Sequence, residues 1–391
     1  MQVAIDAVGI RGHGGAAVLC ELLYWLPTVR PEWHWHVFLF DRHLRYFDDP
    51  VVPDNVTIES VKYGNNGLQR LQWIDRRLSA RLGELNVDAI FAFANIGSAH
   101  PIVPQTVFCH QLNAFFSGGI SSHLLVKRTR LWFMRRCILR GAKSSQAMIV
   151  QTEAMRNRIV ECEPGLGGRV HVIPSGYRTP AASPTIRPEK KKLIDEAPRP
   201  RLIYVSHPSE HKNHETLVKS LGLLVKRIPE VQLLLTIERD CPPNRRYASF
   251  SRQVKGAGEA TGVADHLVWL GQLNPDEVTY ALQSSDLMVF PSLAESFGLG
   301  LVEAMAVGCP VVAADLSYAH DVCKDAALYF DPLSSEAIAQ TVERVLGSKM
   351  ELDHLKEAAQ NRKSLYSYKS IASEIADVIE QCIMLDAQKY G

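Results

Sequence analysis

Nowhere does the chain hold an uninterrupted apolar run of the about 18–20 residues that a bilayer-spanning helix requires. The eight cysteines (20, 109, 137, 162, 241, 309, 323 and 382) include no Cys-x-x-Cys pair. That excludes zinc-ribbon and thioredoxin-like frameworks. Several lie in apolar runs, as the reduced core cysteines of a cytosolic protein do. There is little excess of one charge, the formal net charge being +1, which argues against wholesale nucleic-acid binding. No basic stretch precedes the apolar start MQVAIDAVGI, which reads as a first strand and not as a signal peptide. Short-period repeats and low-complexity tracts are missing too. Acids are absent from one long segment: between Ala89 and Thr152 there is no Asp or Glu.

What is present suits two α/β domains. The chain has 391 residues, 46% of them apolar and 22% charged, and single cores seldom grow past about 250–300 residues. In the first half, strand-like runs at 3–6, 36–40, 89–93, 106–109 and 148–150 alternate with helical stretches at 16–26, 68–85 and 124–139. Such alternation signals a parallel sheet. The segment 171–176 (HVIPSG) closes this domain, expected over residues 1–178. Residues 179–200 carry five prolines (180, 184, 188, 198 and 200) and the triplet Lys190–Lys192, a composition that predicts a linker. A second α/β series starts at Leu202–Val205 and continues through 214–227, 231–237, 267–270 and 275–284, giving a second domain over 201–365. Residues 370–385 predict an amphipathic helix within a terminal segment 366–391.

The densest signal is Pro291 to Ala314, PSLAESFGLGLVEAMAVGCPVVAA. The β-prone runs 286–290 and 310–314 flank it, so the segment reads strand, loop, helix, strand. In parallel sheets ligands sit at the carboxyl ends of strands, where the loop holding Glu295 would lie. Amides of Gly298, Leu299 and Gly300 would open the helix, and free N–H groups there suit a phosphate or sugar oxygen. Glu295 and Glu303 beside such an anion site fit a ligand bearing both hydroxyls and phosphate, as a nucleotide sugar does.

These residues resemble the retaining glycosyltransferases of family 4, whose Glu-x7-Glu motif runs Pro-Ser-x-x-Glu-Gly-Phe-Gly-x-Pro-x-x-Glu-Ala-Met-Ala-x-Gly-x-Pro-Val-Val. Matches fall at Pro291, Ser292, Glu295, Phe297, Gly298, Glu303, Ala304, Met305, Ala306, Gly308, Pro310, Val311 and Val312. Ser296 and Gly300 depart from the pattern, where Gly and Pro are usual. The resemblance implies the GT-B fold: two Rossmann-like parallel-sheet domains facing across a cleft, with a C-terminal helix crossing back to the N-terminal domain. It implies a UDP- or GDP-sugar donor, bound by the C-terminal domain without a metal or other cofactor, and transfer of a hexose-type sugar with retention.

Other constellations gain or lose weight beside that resemblance. Gly12, Gly14 and Gly15 follow the first strand and precede a helix. They read either as a tight turn or as a close approach to a diphosphate, and Gly14 and Gly15 match the family's donor-phosphate position. The same residues fit G-x-G-x-x-A, with Asp41 as a ribose-binding acid. An NAD-dependent oxidoreductase is therefore an outside reading, although it leaves the Glu295 block unexplained. His110 ends the run TVFCH; a lone histidine is more often structural, but this one matches the family's histidine beside the transferred sugar. In YVSHPSEHKNH (204–214), Lys212 suits a point-charge clamp on a diphosphate and matches the family's lysine. The Arg usual a few residues earlier is replaced here by Ser206 or His207. The spacing of His207, His211 and His214 admits a metal reading, but no carboxylate or Cys set completes it.

Lys127, Arg128, Arg130, Arg135, Arg136, Arg140 and Lys143 interleave with Leu131, Trp132, Phe133, Met134, Ile138 and Leu139. The stretch 127–143 is either the solvated face of a packed helix or a surface for anionic lipid headgroups or a lipid-diphosphate acceptor. Beside that stretch, the resemblance implies a cytoplasmic enzyme, peripheral on the inner face of the plasma membrane, acting on a glycan or lipid-linked acceptor in bacterial cell-surface polysaccharide synthesis. His110, Lys212 and Glu295 are the candidate catalytic residues. A nucleotide-sugar epimerase on the same fold and a catalytically silent glycosyltransferase-like subunit stay open as alternatives.

Overall fold

The structure is a computed structural model and describes residues 1–10, 13–41, 53–62, 67–111, 114–115, 125–179, 183–242 and 247–390. Gly12 lies outside these, as do the side chains of Lys127 and Arg128. The chain divides into two compact units, residues 1–117, 121–176 and 366–391 in the first, and 118–120 and 177–365 in the second.

The first unit runs β1 (Gln2–Asp6), α1 (His13–Val29), β2 (His34–Phe40), β3 (Val56–Val61), α2 (Gly67–Gln72), α3 (Ser79–Leu85), β4 (Ala89–Ala92), β5 (Gln105–Phe108), α4 (Leu125–Lys143), β6 (Ala147–Val150), α5 (Glu153–Cys162) and β7 (Val170–Val172). Its seven strands form one sheet in the order β3-β2-β1-β4-β5-β6-β7, and every pairing is parallel. Residues 68–85, expected as one helix, are α2 and α3 joined through a wider π turn at Trp73–Leu78. Strand β3 escaped the sequence reading because, as an edge strand, it is buried only at its two ends and shows no apolar run. At the carboxyl end of β1, fully buried Asp6 accepts two bonds from Arg70, at 2.9 and 2.8 Å. A buried carboxylate is stable only when so compensated.

The second unit comprises α6 (Pro188–Asp195), β8 (Arg201–Tyr204), α7 (His214–Leu224), β9 (Gln232–Leu235), α8 (Ala248–Ala260), β10 (Leu267–Trp269), α9 (Pro275–Gln283), β11 (Leu287–Phe290), α10 (Leu299–Ala306), β12 (Val311–Ala314), α11 (Ser317–Cys323), β13 (Ala327–Phe330), α12 (Ser335–Gly347) and α13 (Lys349–Lys363). Six strands again form a parallel sheet, in the order β10-β9-β8-β11-β12-β13. Both sheets change direction in their middle, between β1 and β4 and between β8 and β11, the crossover that opens a crevice at the strands' carboxyl ends. Each of β8, β9, β11 and β12 is buried along all four residues, and after Arg201 and Gln232 at the starts of β8 and β9 the buried residues give these strands their apolar reading.

The segment 179–200 is not a bare linker. Pro188 starts α6 at its first turn, where a proline lacks no needed donor. Arg187 then ties this stretch to the buried Glu277 of α9 at 2.7 Å, and the same carboxylate closes the capping box of that helix. Proline content hid a helix that packs on the second unit. The final helix, α14 (Tyr368–Tyr390), belongs to the first unit, where it packs on α1 and β4–β6. Ile371, Ile375, Ile379 and Cys382 form its buried stripe, the spacing expected of one helical face.

Candidate functional site

In the second unit the loop after β11 and the loop after β8 meet. Gly298 adopts φ 94°, a left-handed conformation open to glycine at little cost, and α10 starts directly after it. Leu299 and Gly300 are therefore the first two residues of the helix, whose leading amides have no intrahelical acceptor. At Gly300 a Cβ would stand 2.9 Å from Met288 Cε and 3.3 Å from Phe290 Cε2, so the helix rests directly on β11. Phe297 is buried and anchors the loop.

Lys212 and Glu295 are brought together, with Nζ 2.5 Å from Oε1 and both side chains largely shielded from solvent. Ser292 donates to the same Glu295 oxygen at 2.6 Å. Tyr204 holds both partners in place: its hydroxyl lies 2.9 Å from Ser292 Oγ and donates to the Lys212 carbonyl at 3.0 Å. Tyr318 donates to the Ser292 carbonyl at 2.6 Å, while Asn213 donates to the carbonyls of Pro291 and Pro332 at 3.2 and 2.7 Å. A cation, a carboxylate and a hydroxyl are thus fixed at one place by Tyr204 at the end of β8, Asn213 in the loop after it and Tyr318 on α11.

Glu303 lies one turn further into α10 and is only partly exposed. Desolvation pushes its carboxyl up to about 7, and among the described residues no donor reaches it. A carboxylate left without protein donors beside a helix start is suited to accept hydroxyls from a ligand. His207 is exposed and packs edge-on against Tyr247, with ring centroids 4.4 Å apart. His214 is buried, bonds Ser206 Oγ at 2.9 Å and is driven down to about 3 by burial, so it is a neutral packing residue. No three His, Cys, Asp or Glu side chains among the described residues converge as metal ligands.

The first unit carries its own group. Gly14 and Gly15 form the first turn of α1. His110 follows β5, and a Cβ on Gly15 would stand 3.5 Å from its Nε2. Asn95, which the sequence reading missed, lies at the end of the run AIFAFAN and bonds His110 through backbone and ring. Asp41, the acid of the dinucleotide reading, instead accepts from Ser60 at 3.1 Å. On α4, Trp132 and Phe133 are about half exposed. Arg136 stacks over Trp132 at 4.9 Å. Arg140 and Lys143, both still about half exposed, pair with Asp75 and Glu163 at 2.6 Å in both cases.

Two doubly-wound parallel sheets, the second bearing Glu295 and Glu303 around the start of a short helix, define the chain as a GT-B protein. Residues 186–362, which make up most of the second unit, match the family model of glycosyl transferases group 1. The phosphatidyl-myo-inositol mannosyltransferase of Mycobacterium tuberculosis is 32% identical over 176 residues, 43% of this chain and 43% of that protein. The chain thus spans less than half the length of this curated relative. Sucrose-phosphate synthase from Thermosynechococcus elongatus superposes with TM-score 0.76 at 18% identity, over 98% of this chain and 100% of that one. Anabaena HepE, in complex with UDP and glucose, gives TM-score 0.73 at 17% identity over 97% and 100%. Together these establish the same architecture in this chain.

Proposed function

We propose that the protein is a retaining glycosyltransferase that moves a hexose-type sugar from a nucleoside-diphosphate sugar to a glycan or lipid-linked acceptor in bacterial cell-surface polysaccharide synthesis. The observation that carries this reading is the Lys212–Glu295–Ser292 group beside the α10 start, with Glu303, which no donor among the described residues reaches, one turn away. Glu303 accepts the ribose hydroxyls. Glu295 and the amides of Gly298, Leu299 and Gly300 hold the donor sugar, with Phe297 fixing their loop. Lys212 meets the negative charge growing on the departing diphosphate, the kind of support that matters most when no enzyme nucleophile is used. His207 stands where a second cation is usual, and the resemblance assigns Gly14, Gly15 and His110 to the donor's phosphates and transferred sugar. The relative's printed activity, a mannosyl transfer to an inositol lipid, and the UDP bound by HepE both belong to this class of donor. No metal or other cofactor enters this scheme.

A thermal-shift panel with UDP, GDP, ADP, CMP and NAD tests the reading. A ligand at about 100 times its Kd adds about 2.7 kcal/mol, which raises Tm by several degrees for a unit of this size. A shift with one nucleoside diphosphate is expected and names the donor's base. A shift with NAD alone overturns the proposal. An epimerase on this fold would convert the donor without any acceptor, which product analysis detects.

The half-exposed Trp132 and Phe133 beside exposed Arg130 and Arg136 favour a second element of this reading: α4 meets the anionic inner face of the plasma membrane. Aromatic side chains partition into the headgroup region while arginines pair with lipid charge. The protein is expected to sediment with phosphatidylglycerol vesicles and not with phosphatidylcholine vesicles. Equal binding to both removes the electrostatic part of this reading.

A further inference from the structure

Asn95 is bound to the end of β5 at three points. Its backbone N–H donates to the Phe108 carbonyl at 3.2 Å. Its side-chain oxygen accepts the His110 backbone N–H at 2.8 Å. Its side-chain nitrogen lies 3.2 Å from His110 Nε2. The residue adopts φ 72°, a left-handed conformation that asparagine tolerates better than other side chains. The amide cannot turn over, because its NH2 group would then face the His110 backbone N–H. Nε2 is therefore opposite a donor and must be unprotonated, since a proton there would set two N–H groups face to face.

Nδ1 is left with the proton and has no partner among the described residues. The ring cannot turn freely either, since Phe93 and Phe108 lie against it, with centroids 5.7 and 5.8 Å away. Doubly protonated imidazolium would meet the same obstacle at Nε2, and burial already drives this histidine down to about 4.

From this geometry we infer that Asn95 is a positioning residue which locks His110 as its neutral Nδ1–H tautomer, with the Nε2 edge turned towards Gly15. The inference rests on the transferase reading for its consequence and on the three bonds for its substance. With the Nε2 lone pair engaged by Asn95, His110 does not serve as the base that takes the acceptor's proton. It presents a fixed, uncharged ring edge to the sugar, and the departing diphosphate is left as the proton acceptor.

Asn95→Asp tests this with almost no change of shape. One carboxylate oxygen still accepts the His110 backbone N–H, while the other accepts where the amide donated. Long-range nitrogen–proton spectra of protein carrying nitrogen-15 histidine, with His110 assigned from His110→Gln, read the tautomer directly. Wild type is expected to show a protonated Nδ1 and Asn95→Asp a protonated Nε2. The variant should lose about tenfold or more in kcat, on the scale of a misplaced catalytic group, with little change in donor KM. A protonated Nε2 in wild type overturns the inference, and so does a variant whose tautomer switches while kcat holds. Wild-type protein that neither binds nor turns over any nucleotide sugar sinks the transferase reading instead, and the spectra still decide the tautomer.

Discussion

Lys212→Ala is expected to lower kcat for sugar transfer about 10²-fold, the scale of losing one preorganised donor to a developing anion. The argument starts from the pairing of Lys212 with Glu295, at 2.5 Å with both side chains mostly out of water. A lysine held there is already oriented and partly stripped of solvent, so its charge acts at higher strength than a surface lysine's. Removing it also leaves Glu295 with Ser292 as its remaining side-chain donor, and a partly buried carboxylate without its cation is destabilising. The two effects separate experimentally. Loss of transition-state support appears in kcat with donor KM little changed. A merely structural pair would appear as a lower Tm with kcat intact, and that outcome would sink the assignment. Lys212→Arg, which keeps charge but changes shape, should fall between wild type and alanine.

Glu303→Gln should stabilise the unliganded protein at pH 8 while weakening its hold on a nucleoside diphosphate about 10- to 100-fold, as expected for losing hydrogen bonds to a charged acceptor. The sign follows from the raised carboxyl. Its ordinary value is 4.5 and burial pushes it up to about 7, so the folded state binds this proton more tightly than the unfolded chain does. Stability from this group is full below about pH 4.5 and is lost as pH rises through 7. Glutamine never ionises and escapes that loss, a gain of about 1–3 kcal/mol once partial exposure is discounted. Ligand affinity runs the other way. The carboxylate is the form that accepts ribose hydroxyls, so wild-type affinity should fall as pH drops below 7, and the variant's should stay flat. Urea unfolding and nucleotide titrations at pH 6 and pH 8 measure both. A variant less stable at pH 8 with unaltered affinity would remove Glu303 from the binding role.

Much of this was legible in the chain because chemistry and fold coincide in one short segment. Pro291 to Ala314 contains the strand end, the glycine cap, both glutamates and the following strand, so local pattern alone exposed it. The supporting groups were hidden by sequence distance. Tyr204 and Ser292 touch across 88 positions, and Tyr318 reaches Ser292 across 26. The pairing of Lys212 with Glu295 spans 83, so the sequence offered each as a contact for one ligand but not as partners of each other. Asn95 was missed because a polar residue ending an apolar run looks like an ordinary turn. Its left-handed backbone and its bonds to His110 exist only once β4 and β5 pair. In residues 179–200 the proline count outweighed the helix that starts on one of those prolines.

The last helix carries a consequence for how the molecule is made. Residues 366–391 complete the unit that residues 1–117 and 121–176 begin, while nearly all of the other unit comes from residues 177–365. During synthesis residues 177–365 are all made before residues 366–391, so the first unit waits for this piece while the second is being built. The surface of α1 and β4–β6 that α14 covers stays uncovered in the meantime, the kind of exposed face that makes a partly folded chain prone to aggregate. Of the two units, the one translated first is the last to be finished.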